Sequence, residues 1–284
     1  MNKLARIVRP IGRHVQQQPA IDVKRPVSVP VPTGHAGIDR SLGGGMVRGR
    51  VHEVFAVDVA DASSATGFVA MLALLFGGGI VWLREEGNQQ RHGLNVLGLA
   101  EIGLDPARLI LGLPPDPLAL LCAAADVARC PGVGVAVVEV WRDPRVLDLT
   151  ATRRLALAAE TSGVTVLLLR IAGVPAPSAA QTRWVVQSAS SQPLEANAPG
   201  RPAFDIALVR QRGRPAGLDW RVEWDRDRAV FIEPAEVKAT EITPAQIEVV
   251  QQALSGAVVS FPVSRSLAAG MDGDVIVPAR QRAG

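Results

Sequence analysis

From residue 33 onward, short apolar runs alternate with helical patterns, and this alternation is what most restricts the fold of the chain. A strand covered on both faces appears as an almost uninterrupted apolar run, and strands that alternate with helices are typical of a parallel sheet. The predicted strands span 51–57, 80–83, 133–140, 164–170, 184–189, 204–212 and 218–224, and the predicted helices span 65–76, 94–102, 118–128 and 150–160. The sequence therefore predicts the α/β class, with a mainly parallel twisted sheet and helices on both faces.

The last two predicted strands have a different pattern from the others. Residues 204–212 and 218–224 alternate apolar with polar side chains, which is typical of strands with one exposed face. We expect them to form an antiparallel extension at the C-terminal edge of the sheet.

Composition divides the chain into three parts. Residues 1–32 form a basic, proline-containing N-terminal extension, 33–233 form the core, and 234–284 form an Ala/Pro-rich tail that we expect to be flexible. Thr243-Pro244 in this tail is able to begin a helix with Ile247, Val250 and Leu254 on one face.

Composition and cysteine usage exclude several classes of protein. The formal net charge is +3, which permits DNA contact without requiring it. Cys122 and Cys130 have no histidine near them in the sequence, so neither a metal site nor a disulfide framework is expected, and a reducing cytoplasm fits. The start of the chain lacks the long apolar segment of a secretory signal. The uncharged stretch 62–83 is interrupted by Gly77-Gly78-Gly79, which favours a buried helix, a turn and a buried strand over a membrane span.

The segment 33–45 (TGHAGIDRSLGGG) leads into the first predicted strand, and the segment after that strand, 58–67 (DVADASSATG), is where a phosphate-binding loop is expected. Such a loop needs a lysine beside the β- and γ-phosphates. The chain has lysine only at Lys3, Lys24 and Lys238, and the loop carries Asp58 and Asp61 instead.

With these segments, residues 33–225 resemble the core of RecA-type ATPases. In 80–86 (IVWLREE), Glu85 matches the glutamate that polarises the attacking water in that family, and in 133–139 (VGVAVVE), Glu139 stands where the magnesium-ordering aspartate of a Walker B strand is expected. The resemblance implies a degenerate nucleotide site formed by Ser63, Ser64, Thr66, Glu85 and Glu139. Because the lysine is absent, we expect a pseudo-ATPase with no catalytic residues, no metal and no cofactor.

Two alternatives remain open for this site. One is a RecA-like ATPase with a non-standard nucleotide site, in which Ser63, Ser64 or Thr66 holds magnesium. The other is a purely structural role for Glu85, as a carboxylate that is solvated or paired with Arg84.

A recombinase would contact DNA through the loop after the strand 164–170. Here that loop, 171–179, is short and uncharged, so strand exchange by this chain alone is not expected. The remaining candidates for binding nucleic acid or a protein partner are Arg183, Trp184, Arg210, Arg212 and Arg214. Arginines also keep edge strands soluble and tryptophans pack in cores, so we expect any DNA contact to be weak.

Three further segments, in order along the chain, resemble the ImuA family: 152–160 (TRRLALAAE), 178–184 (SAAQTRW) and 204–215 (FDIALVRQRGRP). This resemblance implies a non-catalytic adaptor in DNA-damage-induced (SOS) mutagenesis that supports error-prone translesion synthesis. The implied partners are an ImuB-like inactive Y-family polymerase and RecA, and indirectly an error-prone polymerase III α-type subunit. The implied location is the cytoplasm, at the nucleoid when DNA is damaged. A cell-division inhibitor of the SulA type, which binds a tubulin-like protein, is the alternative.

Overall fold

The structure is a computed structural model that describes residues 30–191 and 200–234. Most of the predicted N-terminal extension and all but the first residue of the predicted tail, including the proposed helix start at Thr243-Pro244, lie outside the described residues. The strands are β1 (Pro30–Val31), β2 (Met46–Val47), β3 (Val51–Ala56), β4 (Ile80–Arg84), β5 (Leu109–Gly112), β6 (Val135–Trp141), β7 (Thr165–Ile171), β8 (Thr182–Ser188), β9 (Ala203–Gln211), β10 (Leu218–Asp225) and β11 (Val230–Ile232). The α-helices are α1 (Ala36–Leu42), α2 (Ala62–Phe76), α3 (Glu86–Arg91), α4 (Val96–Glu101), α5 (Pro117–Val127) and α6 (Leu149–Ser162).

Nine strands form one sheet in the order β11-β10-β9-β8-β3-β7-β6-β4-β5. The six strands from β8 to β5 in that order are parallel, whereas β9, β10 and β11 pair antiparallel at the C-terminal edge. Parallel pairing arises here because a helix or a long connection returns the chain to the same end of the sheet after each strand. The predicted architecture, a mainly parallel α/β sheet with an antiparallel C-terminal edge, is confirmed.

Helices cover both faces of the parallel part of the sheet. On one face α2 packs over a core that includes Val54, Trp82 and Trp184. On the other face α5 and α6 cover a second core, represented by Val138 and Val166. The carboxylates of Asp116 and Asp148 accept hydrogen bonds from backbone N–H groups at the starts of α5 and α6, at 2.8 and 2.7 Å. These caps begin both helices at the edge where the preceding strands end.

The turn between α1 and β2 requires glycine. Gly43, Gly44 and Gly45 all have positive φ, and a Cβ on Gly45 would lie 2.1 Å from the carbonyl oxygen of Val31. Only glycine fits there, because the turn brings β1 directly alongside β2. Pro30 and Val31, which we assigned to the N-terminal extension, are therefore paired with the core.

One described helical stretch, Val59–Phe76, is long and apolar enough to cross a membrane by length and composition, and half of it is buried inside the protein. The sequence predicted a buried helix within this stretch. In the structure it packs against β3, β7 and β8.

Candidate functional site

The segment where a phosphate-binding loop is expected from the sequence is short. Residues 57–61 connect the end of β3 to the start of α2, and three of them, Val59–Asp61, form a 3-10 helix. Asp58 caps this turn by accepting a hydrogen bond from the Ala60 N–H at 2.8 Å. No residue from 57 to 67 has a positive φ, so the backbone there does not form the concave row of N–H groups that holds a phosphate.

A second carboxylate lies at the start of α2. Asp61 is 8% exposed and accepts hydrogen bonds from the backbone N–H and the hydroxyl of Ser188, at 2.9 and 3.0 Å. The N-terminus of a helix normally favours an anion because its N–H groups carry partial positive charge. Asp58 and Asp61 supply that negative charge from the protein itself, so this end of α2 does not attract a phosphate.

Glu139, at the position of a Walker B carboxylate, is fully engaged in a buried polar cluster. Its side chain is 1% exposed, lies 2.9 Å from Arg84 Nη2, and accepts hydrogen bonds from the indole N–H groups of Trp82 and Trp141, at 3.0 and 2.7 Å. Burial lowers the pKa of Arg84, and the charge of Glu139 partly offsets that effect. Both oxygens of Glu139 are used by protein donors, so the carboxylate is not directed at a magnesium ion.

A cavity of about 490 Å³ lies beside this cluster, at the carboxyl ends of β4 and β6. The first turns of α2 form one side of it. The other side includes Trp141 and His92, whose rings stack with centroids 4.4 Å apart. Arg84 also donates to the carbonyl oxygen of His92 at 2.6 Å, which fixes that wall to the buried cluster.

The structure brings together three of the five residues of the predicted nucleotide site. Ser63, Thr66 and Glu139 line the cavity, whereas Ser64 and Glu85 are not among its lining residues. Glu85 lies at the N-cap position of α3 without a side-chain hydrogen bond to the helix backbone, is half-buried, and accepts a 3.4 Å hydrogen bond from the side-chain amide of Asn88.

Sequence reasoning missed the contributions of Trp82, His92 and Trp141 to this region, and did not identify Glu139 as the partner of Arg84. A partner for Arg84 was sought at Glu85, but the ion pair runs across the sheet to Glu139 because β4 and β6 are neighbours in parallel register. No signal in the linear sequence identifies that register.

A second buried ionic cluster lies on β3 and β8, beneath the connection 172–181. Glu53 is fully buried, lies 2.5 Å from Arg183 Nε and accepts a hydrogen bond from Ser178 at 2.8 Å. Arg183 also donates to the carbonyl oxygen of Ala176. Burial lowers the pKa of Arg183, Glu53 partly offsets this, and the positive charges of Arg210 and Arg170 add to the lowering. These contacts therefore attach the connection 172–181 to strands β3 and β8.

The connection 172–181 is also hydrogen-bonded to the adjacent loop between β6 and α6. Asp143 accepts a hydrogen bond from Arg170 at 2.6 Å and from the backbone N–H of Val174 at 2.9 Å. Arg142 and Ala172, one in each segment, have φ of 60° and 51°. The connection after β7 is the segment where the sequence resemblance would place a DNA-binding loop, and here it is fixed to the loop after β6.

The predicted nucleic-acid or partner-binding residues separate into two groups. Arg183 and Trp184 are 0% and 1% exposed, so they are withdrawn from any candidate surface. Arg212 and Arg214 are exposed in the turn between β9 and β10, and Arg210 is half-buried just before it. This turn lies at the amino ends of the parallel strands, since Arg212 N–H donates to Gln181 and Gln181 N–H donates to Val51.

His52 on β3 gives a prediction for pH dependence. Its Nε2 contacts the carbonyl oxygen of Val47 at 2.9 Å, so the neutral ring donates there and accepts from the Thr182 hydroxyl through Nδ1 at 2.7 Å. Burial lowers the pKa of His52 to about 4 from 6.5. The unfolded chain therefore binds one more proton between these pH values, and stability falls as pH decreases through them.

We expect this one group to remove about 3 kcal/mol of unfolding free energy between pH 6.5 and pH 4. Denaturant titrations at several pH values should show a shallower acid limb for His52→Gln, which keeps one donor and one acceptor. The control His92→Gln alters an exposed ring and should keep the steep limb. Equal slopes for wild type and His52→Gln would contradict the assignment.

The sheet and the carboxyl ends of its strands define an α/β protein in which residues 57–67 do not form a phosphate-binding loop. No protein-family model matches the chain, and no curated protein matches it. Among solved structures, the RadB recombinase is similar, with a TM-score of 0.49 and 15% sequence identity, over 72% of this chain and 100% of that one. At that level the similarity adds nothing to the fold assignment, which rests on the sheet described above.

Proposed function

We propose that this chain is a non-catalytic RecA-like adaptor in DNA-damage-induced mutagenesis. It supports error-prone translesion synthesis by binding an ImuB-like inactive polymerase and RecA, and through them an error-prone polymerase III α-type subunit. The proposal places it in the cytoplasm and at the nucleoid after DNA damage. The partners come from the resemblance of three sequence segments to the ImuA family.

The observation that supports a non-catalytic role is the set of charges at the carboxyl edge, which is the edge of the sheet where the parallel strands end. Transfer of a phosphoryl group needs positive charge around the phosphates and a metal-holding carboxylate, and these groups must act together. Here Asp58 and Asp61 precede α2, and Glu139 is paired with Arg84 at 2.9 Å. The charges that remain at this edge oppose a nucleotide triphosphate instead of holding one.

An adaptor needs surfaces that are fixed before the partner arrives, because ordering a loop on binding costs free energy. The connection 172–181 is fixed through Glu53, Arg183 and Asp143. The turn that carries Arg212 and Arg214 offers positive charge at the opposite edge of the sheet. We assign the partner contacts to these two surfaces, and DNA contact remains secondary.

The test combines an ATPase assay with binding measurements on the purified full chain. We expect no hydrolysis above background, and saturable binding to RecA filaments and to an ImuB-like polymerase by biolayer interferometry. Arg212→Ala with Arg214→Ala should weaken one of the two interactions at least fivefold. The control Arg226→Ala with Arg228→Ala removes two exposed arginines from another turn and should leave both intact. Hydrolysis that Glu85→Ala abolishes would overturn the non-catalytic role, and binding to neither protein would overturn the adaptor role.

A further inference from the structure

We propose that the cavity at the carboxyl edge binds a small uncharged aromatic molecule that carries a hydrogen-bond acceptor. This inference goes beyond the adaptor role, because it assigns a ligand to the place where related folds hold a nucleotide. It rests on three properties of the cavity: its charge, its walls and the hydroxyl groups that line it.

The charge of the cavity excludes a phosphorylated ligand. Among the described lining residues, Arg84 and Glu139 are the side chains of fixed charge, and they neutralise each other at 2.9 Å. The first turn of α2 would add positive charge, but Asp58 and Asp61 lie immediately before it. A ligand with several negative charges would lose its hydration here and find no net positive charge in return.

The walls of the cavity suit a planar ring. Leu94, Leu99 and Ile102 supply apolar lining, and the half-buried indole of Trp141, against which His92 stacks, also lines the cavity. The volume of about 490 Å³ falls within the range of small-molecule sites, roughly 300–1,000 Å³. Aromatic rings bury a large area for few rotatable bonds, so such a wall favours them over a flexible chain.

The hydroxyl groups in the lining indicate the polar group of the ligand. Arg84 is 2% exposed, and its Nη2 already contacts Glu139 and the carbonyl oxygen of His92. The hydroxyls of Ser63 and Thr66 on α2 also line the cavity and are able to donate to the oxygen of a carbonyl or amide group. A ligand with such an acceptor therefore suits the polar part of the lining.

Benzamide and benzoate test this proposal, since the two probes share a ring and a carbonyl but differ in charge. By isothermal titration at pH 7.5 we expect benzamide to bind with a Kd of about 1 mM or tighter, as suits a fragment of this size. Benzoate should bind at least tenfold more weakly. Thr66→Phe should fill the cavity and abolish binding, whereas Ser64→Phe, the same change on the same helix but outside the cavity, should leave it intact. Ser63→Leu, at an exposed lining position, is a second filling variant in case Thr66→Phe does not fold.

Three results would overturn the inference: benzamide that does not bind, benzoate that binds as tightly as benzamide, or binding that both filling variants leave unchanged. Mg-ATP is titrated in parallel. If Mg-ATP bound more tightly than benzamide, the site would be a nucleotide site and the charge argument would be wrong. Failure of benzamide alone would leave the adaptor role untouched, because that role is judged from binding to RecA and the ImuB-like polymerase.

Discussion

Arg84→Met is expected to lower the unfolding free energy by about 3–5 kcal/mol. The substitution leaves the carboxylate of Glu139 1% exposed, with two indole N–H groups as its remaining donors. A buried charge without its partner costs much more than the pair contributes, since the pair had already lost the hydration of both ions. Guanidinium chloride titration of wild type and variant measures the difference.

Two further variants separate this mechanism from a simple loss of packing. Arg84→Met combined with Glu139→Gln removes both charges and should recover at least half of the lost stability. Arg129→Met breaks the exposed pair with Asp126, whose side chains are 60% and 81% accessible, and should change stability by less than about 1 kcal/mol. If the double variant were no more stable than Arg84→Met, the cost would lie in packing and the account of Glu139 would be wrong.

Glu53→Gln is expected to lower the unfolding free energy by about 3 kcal/mol or more, and to loosen the connection 172–181 in particular. The amide keeps the shape of the side chain but leaves the guanidinium of Arg183 uncompensated, beside the charges of Arg170 and Arg210. Because Arg183 and Ser178 connect Glu53 to the connection 172–181, the segment should loosen before the sheet does.

Hydrogen exchange monitored by mass spectrometry measures this effect. The amides of Ala179 and Ala180, which donate to the hydroxyls of Thr152 and Ser178, should exchange at least tenfold faster in Glu53→Gln than in wild type. Ser178→Ala is the comparison at the Ala179 amide, because it removes two hydrogen bonds, the one to Glu53 and the one from the Ala180 N–H, but no charge, for about 1 kcal/mol each. Exchange that accelerates equally throughout the chain would show global destabilisation and contradict a local role for the cluster.

Local pattern was sufficient to predict most of the fold. The seven predicted strands and four predicted helices are all present, since each is a long apolar run or has a clear start signal such as Asp116-Pro117. The elements that were missed are short. Strand β5 spans four residues and leaves Ile110 65% exposed at the sheet edge, and α3 is a six-residue helix with Gly87 near its start. Neither has a periodic pattern long enough to distinguish it from a loop.

The candidate site was predicted less completely, because its pairs join residues that are far apart in the chain. The absent lysine and the two aspartates are visible in the sequence, and they led to the expectation of a degenerate site. The pairing of Arg84 with Glu139, or of Arg183 with Glu53, depends on which strands are neighbours and on their register. Arg183 was placed on a candidate surface for this reason, although its strand turns it towards Glu53.

The short connection between β3 and α2 also limits how this chain could change. A phosphate-binding loop of the G-x-x-x-x-G-K-[ST] type places eight residues across this junction, with glycines that let the backbone curve around a phosphate. Here residues 57–61 span the gap, and Asp61 is held to Ser188 on the neighbouring strand β8. A single substitution to lysine would therefore supply the charge without the curved backbone. A nucleotide site at this junction would require a different backbone path as well as new side chains, so point mutation alone does not create one.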